Sequence, residues 1–321
     1  MPTKQETFIN VDTYNILMYL EKRKAGKSIK YYLVHSYREK GIIKKIRKYL
    51  GQDLSQKDLQ EIKFKAEKQI LSILEEINTK VFLFMLTKSQ IQKLNKADKK
   101  IRIAHLDEKD WQKFTEDFVY NTNAIEGSTV KREEVPKILR NAKTTDDEEL
   151  ETKGVARAVD YIRETKEEIS LSLIKKLHYL CFQDTKSFAG KIRDVEVVIR
   201  NARGEILHQG VKSSEVNAAL NDLTNWYKAN KEKFKPLILA AIIHNQFEYI
   251  HPFQDGNGRV GRLLLNFILI KKRYPPINIT FEDRGEYYNT LQEYQKNHDL
   301  KPTIQFLVKQ YNKTLSKVPT K

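Results

Sequence analysis

Cysteine is nearly missing from this chain of 321 residues: Cys181 stands alone, so no internal disulfide can form. Set between Leu180 and Phe182, it reads as a buried apolar side chain. No Cys/His cluster at metal-ligand spacing occurs either, which argues against structural zinc. Apolar runs of membrane-spanning length, ~20 residues, are absent. Residues 81–86, Val-Phe-Leu-Phe-Met-Leu, are too short and read as core. The polar stretch Met1–Asn10 shows no secretory pattern, so the expectation is a cytoplasmic chain without a membrane partner. There is no internal repeat and no low-complexity tract. Negative charge is in deficit, with 42 Asp+Glu against 58 Lys+Arg, a formal net charge of +16.

What the chain does have is concentrated in residues 251–262, His-Pro-Phe-Gln-Asp-Gly-Asn-Gly-Arg-Val-Gly-Arg. His251 is a candidate base near neutral pH. Asp255 is a hard oxygen ligand of the kind Mg²⁺ takes alongside substrate phosphates. Gly256 and Gly258 let backbone N–H groups approach an anion, and Asn257 is a neutral donor. Arg259 and Arg262, three apart, share one helix face and can meet successive phosphates with their forks. An apolar run from Leu263 to Ile270 follows, so the loop opens onto a buried helix whose N-terminus favours an anion. The chemistry suggested is attack of a hydroxyl on a nucleotide phosphorus. The plain alternative is a Gly-Asn turn capping a core helix, with solvated arginines. The co-occurrence of His, Asp, Asn and two Arg within twelve residues argues against it.

This stretch resembles the signature of the Fic family, His-Pro-Phe-x-Asp/Glu-Gly-Asn-Gly-Arg-x-x-Arg, at every specified position. The resemblance implies a mainly α fold, a Fic-like helical bundle with a β-hairpin flap. It also implies a protein adenylyltransferase, moving AMP from ATP to a Ser, Thr or Tyr hydroxyl of a target protein with Mg²⁺ as cofactor. By the same resemblance His251 would deprotonate the target and Asp255 would ligate the metal. Asn257 and nearby backbone N–H groups would hold the α-phosphate, and Arg259 and Arg262 the outer phosphates. The family's Doc branch, which phosphorylates, carries Lys where this chain has Gly258.

Upstream, Thr122-Asn-Ala-Ile-Glu126-Gly127 resembles the family's inhibitory motif, Ser/Thr-x-x-x-Glu-Gly/Asn. That implies a helix ending at Glu126, whose carboxylate takes the Arg262 fork in place of the γ-phosphate. The physical basis stands alone: carboxylate and phosphate compete for one guanidinium. The bland reading is a helix end with Gly127 as its left-handed residue, and both can hold. The β-branched run Val195–Ile199, a turn at Asn201–Gly204 and a return at Glu205–Leu207 read as a hairpin. Its open edge could pair with a target peptide beside His251. Tyr287 or Tyr288, in a segment resembling the family's adenine-side helix, could stack on the base; the alternative reading is that one of them faces the core. His244 and His178 read as structural, whereas His208, at the flap's exit, is a candidate substrate contact.

Two segments are expected: 1–100, a basic hairpin plus helical arm, and 101–321, the Fic-like domain with the inhibitory helix. Residues 21–50 hold eleven Lys/Arg against Glu21 and Glu39. Lys30–Arg38 and Ile42–Leu50 read as the two strands of the hairpin. Residues 54–78, capped by Asp53 or Ser55, and roughly 80–96, with Ile91 and Leu94, read as amphipathic helices. Helical spacing also marks Val155–Ile162, Leu173–Leu180, Val216–Tyr227 and Leu237–Ile250. The basic unit suits nucleic acid or an acidic partner, or is a solvated face. Three functional alternatives stay open: removal of AMP at the same site, a nucleotide-sensing binding module, and a homodimer of the kind that tunes inhibition in relatives.

Overall fold

The computed structural model describes residues 6–11, 14–39, 42–78, 80–81, 84–85, 92, 106–141, 143–200 and 206–315. The chain divides into two units, Met1–Lys88 and Ser89–Lys321. No helix among the described residues is long and apolar enough to cross a membrane.

In the first unit β1 (Glu6–Val11), β2 (Tyr14–Ala25), β3 (Ser28–Glu39) and β4 (Ile42–Gln52) form an antiparallel sheet in sequence order. Alternation drives it: Met18 and Leu33 are buried with Leu50 on the side covered by α1 (Gln56–Asn78). From α1 come Ala66 and Ile70, with Ile62, Leu71 and Leu74 at the margin. Ser55 starts the helix, accepting from the Asp58 N–H at 3.2 Å and donating to its carboxylate at 2.6 Å. Gly26 turns β2 into β3 with φ +65°. The predicted hairpin is β3–β4. Sequence reading missed β1, most of which lies in the stretch read as polar, and β2, where the run Lys22-Arg23-Lys24 hides the period of two. The second predicted arm helix begins instead as a short strand pair, β5 (Lys80–Val81) with β6 (Phe84–Met85). Valine and phenylalanine there favour extended backbone. Ile91 and Leu94 lie outside the described residues.

The second unit is a helical bundle. Its helices are α2 (Glu108–Ile125), α3 (Val135–Arg140), α4 (Asp147–Glu164), α5 (Leu171–Phe182) and α6 (Val216–Asn230). Then come α7 (Pro236–Ile250), α8 (Asn257–Lys271), α9 (Arg284–Asn297) and α10 (Lys301–Leu315). Side-chain caps mark the starts of several: Asp107 for α2, Asp146 for α4 and Ser170 for α5. Central α7 is buried from Leu237 to Glu248 and packs on α6, α8, α9 and α10. Each of its buried Leu, Ile and Phe side chains contributes ~1.5–3 kcal/mol, which makes it a stiff base for what it carries. Neighbouring α8 packs on α7, α4, α5 and α2. The hairpin is β7 (Val198–Arg200) against β8 (Ile206–Gln209), with its return strand extending past the predicted Leu207. The turn between them, and the side chain of His208, lie outside the described residues. Cys181 is buried, and burial pushes its thiol up to about 12.

Candidate functional site

The buried helices α7 and α8 are joined by residues 251–256, and this short connection is where the polar groups converge. His251 ends α7 in the left-handed conformation, φ +53° and ψ +63°. Its Nδ1 lies 3.3 Å from the Glu248 carbonyl oxygen. A carbonyl only accepts, so Nδ1 carries the proton in that contact and the basic lone pair sits on Nε2. A residue that sequence reading left without a role holds this geometry. Buried Arg193 donates Nε to the His251 carbonyl at 2.7 Å, Nη1 to Val195 O at 2.8 Å and Nη2 to Val211 O. Its own N–H donates to Pro252 O at 3.0 Å. One guanidinium therefore ties both ends of the flap to the histidine's backbone. The signals available were its position before a β-branched run and the resemblance of Gly190-Lys-Ile-Arg193-Asp to the Fic family's segment leading into its hairpin.

The loop is braced from inside. Asn257, expected to donate to phosphate, spends its amide on the loop: Oδ1 accepts from Phe253 N–H and Nδ2 donates to Phe253 O, both at 2.8 Å. Its side chain shapes the turn, and the first-turn N–H groups of α8 remain as the anion donors. Gly256 has φ +78°, and a Cβ there would overlap the Phe182 ring. Gly256 N–H donates to Asp255 Oδ1 at 2.6 Å. His178 is structural, as read: it is buried, stacks on Phe253 at 3.9 Å and accepts from Gly190 N–H at 2.8 Å. Nε2 lies 3.1 Å from Asp255 O, the donor position of the remaining tautomer. Burial pulls the imidazole down to about 4.

Arg262 is a buried cation. Its side chain is 2% exposed, and Nη2 meets Glu126 Oε1 at 2.6 Å. Thr122 also meets the fork, accepting Nε on Oγ1 at 2.7 Å and Nη2 on its carbonyl at 3.0 Å. Thr122 and Glu126 sit four apart at the end of α2, so both face one target. Burial opposes the charge on Arg262, but the Glu126 carboxylate raises its pKa above the arginine norm. Gly127, φ +94°, ends the helix. Gly258 permits the contact, since a Cβ there would overlap Glu126 Oε1 and crowd the Arg262 guanidinium. Glu148 pins the chain just after Gly127, accepting from Ser128 Oγ at 2.9 Å and Thr129 N–H at 2.8 Å. Burial works against its ionisation, but these donors hold its carboxyl below the usual range.

Arg259, expected on phosphate, is turned into the protein. It is bonded to Glu151 and lies 4.3 Å from the Phe182 ring centroid. Lys186 bridges Glu151 at 3.3 Å and Asp255 at 3.7 Å. Glu126, Glu148, Glu151, Lys186, Asp255 and Arg259 line one open cleft of about 270 Å³. Among the described residues no three His, Cys, Asp or Glu side chains converge to hold a metal. Half-exposed Asp255 nevertheless fits a Mg²⁺ that arrives with phosphates, because such an ion needs only one or two protein carboxylates.

Beneath the cleft, Glu248 is fully buried against Gly261 and His244. Burial lifts its carboxyl to about 8, with Arg262 opposing and Glu126 adding. His244 is a core histidine, its Nε2 2.8 Å from Tyr287 Oη, and burial pulls it down to about 4. The tyrosine question resolves by exposure. Tyr287 is 1% exposed and faces the core, whereas Tyr288 is 40% exposed, with its hydroxyl donating to Ile125 O at 3.1 Å.

Residues 168–269 match the Fic/DOC family. Over 208 residues, 61% of the chain, the sequence is 30% identical to "Protein adenylyltransferase Fic" of Nematostella vectensis and covers 47% of it. The chain thus spans about half the length of this curated relative. A crystallised Fic domain containing signaling protein from Bacteroides thetaiotaomicron has TM-score 0.61 and 26% identity, covering 70% of this chain and 94% of that one. Fic-1 from Caenorhabditis elegans shares the fold, with TM-score 0.56 and 24% identity, covering 83% and 77%.

Proposed function

We propose, from the premise that this chain carries a Fic domain, that it is a protein adenylyltransferase held in check by its own Glu126. The observation that carries this reading is the Glu126–Arg262 pair, a carboxylate on the fork that an outer phosphate of ATP would take. His251 Nε2 accepts the proton of a target Ser, Thr or Tyr hydroxyl. The oxygen attacks the α-phosphorus of ATP, the bond to the β-phosphate bridge oxygen breaks, and pyrophosphate leaves with AMP now on the side chain. Arg193 keeps His251 and the flap in one frame, so that hydroxyl and base approach together. The first turn of α8 supplies N–H groups for the negative charge that grows on phosphorus.

Mg²⁺ at Asp255 would neutralise phosphate charge. The cleft itself supports this: Glu126, Asp147, Glu148, Glu151 and Asp255 face only Lys186 and Arg259, which disfavours a bare triphosphate. Arg259 would then share its fork between Glu151 and phosphate, and Tyr288 is the exposed ring for the base. Removal of AMP is a second reading, motivated by Glu126 being 29% exposed at the cleft, where its carboxylate can orient a water. The test is incubation with target extract and ATP labelled on either the α- or the γ-phosphate. Transfer of the α label alone is expected. Transfer of the γ label would mean phosphorylation, and transfer of neither, with Glu126→Gly also silent, would leave a nucleotide sensor.

A further inference from the structure

The sheet of the first unit has a face that nucleotide transfer does not use. β2, β3 and β4 bury one side against α1 through Met18, Leu33 and Leu50. Their register sets three tyrosines, Tyr19, Tyr32 and Tyr49, on the opposite side. Arg23, Lys30, Lys45 and Arg47 share that side with one carboxylate, Glu21. Glu21 meets Arg23 at 2.6 Å and Arg47 at 3.1 Å, so two guanidiniums divide a single negative charge. The pair to Arg47 joins β2 to β4 across the central strand, where Val34 is buried on this side.

Charge and rings coincide here. Residues 21–50 carry eleven Lys/Arg against two Glu, whereas α1 carries four Lys against five Asp/Glu. The excess thus belongs to the sheet and not to the helix beneath it. Tyr32 and Tyr49 are cross-strand partners with ring centroids 5.3 Å apart, and Tyr49 is 55% exposed. Arg23 lies 5.3 Å from the Tyr32 ring centroid. Flat rings flanked by cations suit a polyanion whose bases are unpaired and can stack. A duplex hides those faces, and an acidic protein would satisfy the lysines but leave the rings unused. We infer that this face binds single-stranded nucleic acid, with Tyr32 and Tyr49 stacking bases and Lys30 and Lys45 meeting phosphates. The inference is independent of the transfer reaction.

Fluorescence anisotropy of the full chain tests it, using a labelled oligothymidylate and oligouridylate of about 15 nucleotides, the matching duplexes and polyglutamate. Single strands should bind at least about tenfold more tightly than duplex or polyglutamate. Y32A/Y49A should weaken single-strand binding about tenfold or more while leaving the salt slope in place. Y32F/Y49F, which keeps the rings, should bind like the parent. Y49A alone removes an exposed ring without disturbing the sheet's packed side, so weaker binding there is not unfolding. K30Q/K45Q should reduce the salt slope by about 0.7 for each phosphate that is no longer neutralised. No binding at low salt would overturn the inference. So would equal affinity for duplex and polyglutamate with Y32A/Y49A unchanged, which would mean a charge-only surface.

Discussion

Replacing Glu126 by Gly should both release and destabilise the protein, and the structure sets the scale of each effect. Glu126 Oε1 meets Arg262 Nη2 at 2.6 Å, and the guanidinium side chain is 2% exposed. A hydrogen bond between charged groups of this kind contributes ~1.5–3 kcal/mol. In the proposed transfer an outer phosphate displaces that carboxylate, so its removal should raise the initial rate of AMP incorporation about 10- to 150-fold. The same change removes the carboxylate hydrogen-bonded to Arg262 and leaves its Thr122 bonds. Breaking a buried pair from one side costs ~3–5 kcal/mol, and partial exposure of Glu126 at 29% places this case at the low end. At roughly 2–4 °C per kcal/mol for a domain of this size, ~3 kcal/mol lowers Tm by roughly 6–12 °C. Mg²⁺ and ATP should return part of that loss, because phosphate then partners the fork. The assays are labelled-AMP incorporation and thermal melting, with and without nucleotide. A rate within about twofold of the parent, together with a lowered Tm, would refute the brake and leave Glu126 a structural residue.

Other consequences follow from the same geometry. Glu248, lifted from 4.5 to about 8 by burial, contributes stability that is full below pH 4.5 and is lost as pH rises through 8. Glu248→Gln should therefore gain Tm over the parent steadily across that window; parallel melting curves would contradict it. Arg193→Lys cannot reach all the carbonyls that Arg193 holds, so kcat should fall about tenfold or more with little change in KM for ATP. A kcat loss matched by an equal loss of folded protein in thermal melts would point to general unfolding instead, and a change confined to KM would contradict the positioning role. Gly256→Ala must place a methyl into the Phe182 ring at φ +78°, and should cost ~1–3 kcal/mol with loss of transfer, read by urea melts and the same AMP assay.

The 251–262 loop and the Glu126–Arg262 pair were legible because each is encoded locally. Residues 251–262 compress the base, the glycines and both arginines into one segment, and the Thr122–Glu126 spacing puts two acceptors on one face. Long apolar α7 was legible too, since fourteen residues from Leu237 to Ile250 are nearly all apolar. What the sequence concealed were partners distant along the chain. Glu151 meets Arg259 from α4, and Arg193 meets His251 from the flap's entry, with no periodicity to announce either. The brace that Asn257 supplies went unread for a related reason. Its amide type suits a phosphate, yet a loop this tight needs its own brace, and the Phe253 backbone claims both ends. β2 was missed because long lysine and arginine stems tolerate a strand's exposed face without displaying a period of two.

The transfer chemistry rests on an α-phosphorus being presented to His251, and a crystal of the Glu126→Gly protein with Mg²⁺ and a non-hydrolysable ATP analogue examines that directly. The outer phosphates should occupy the Arg262 fork that Glu126 leaves, with the α-phosphorus facing His251 Nε2 across room for a hydroxyl. Phosphates bound away from the α8 N-terminus, or an α-phosphorus that no hydroxyl held by His251 could attack in line, would contradict the account.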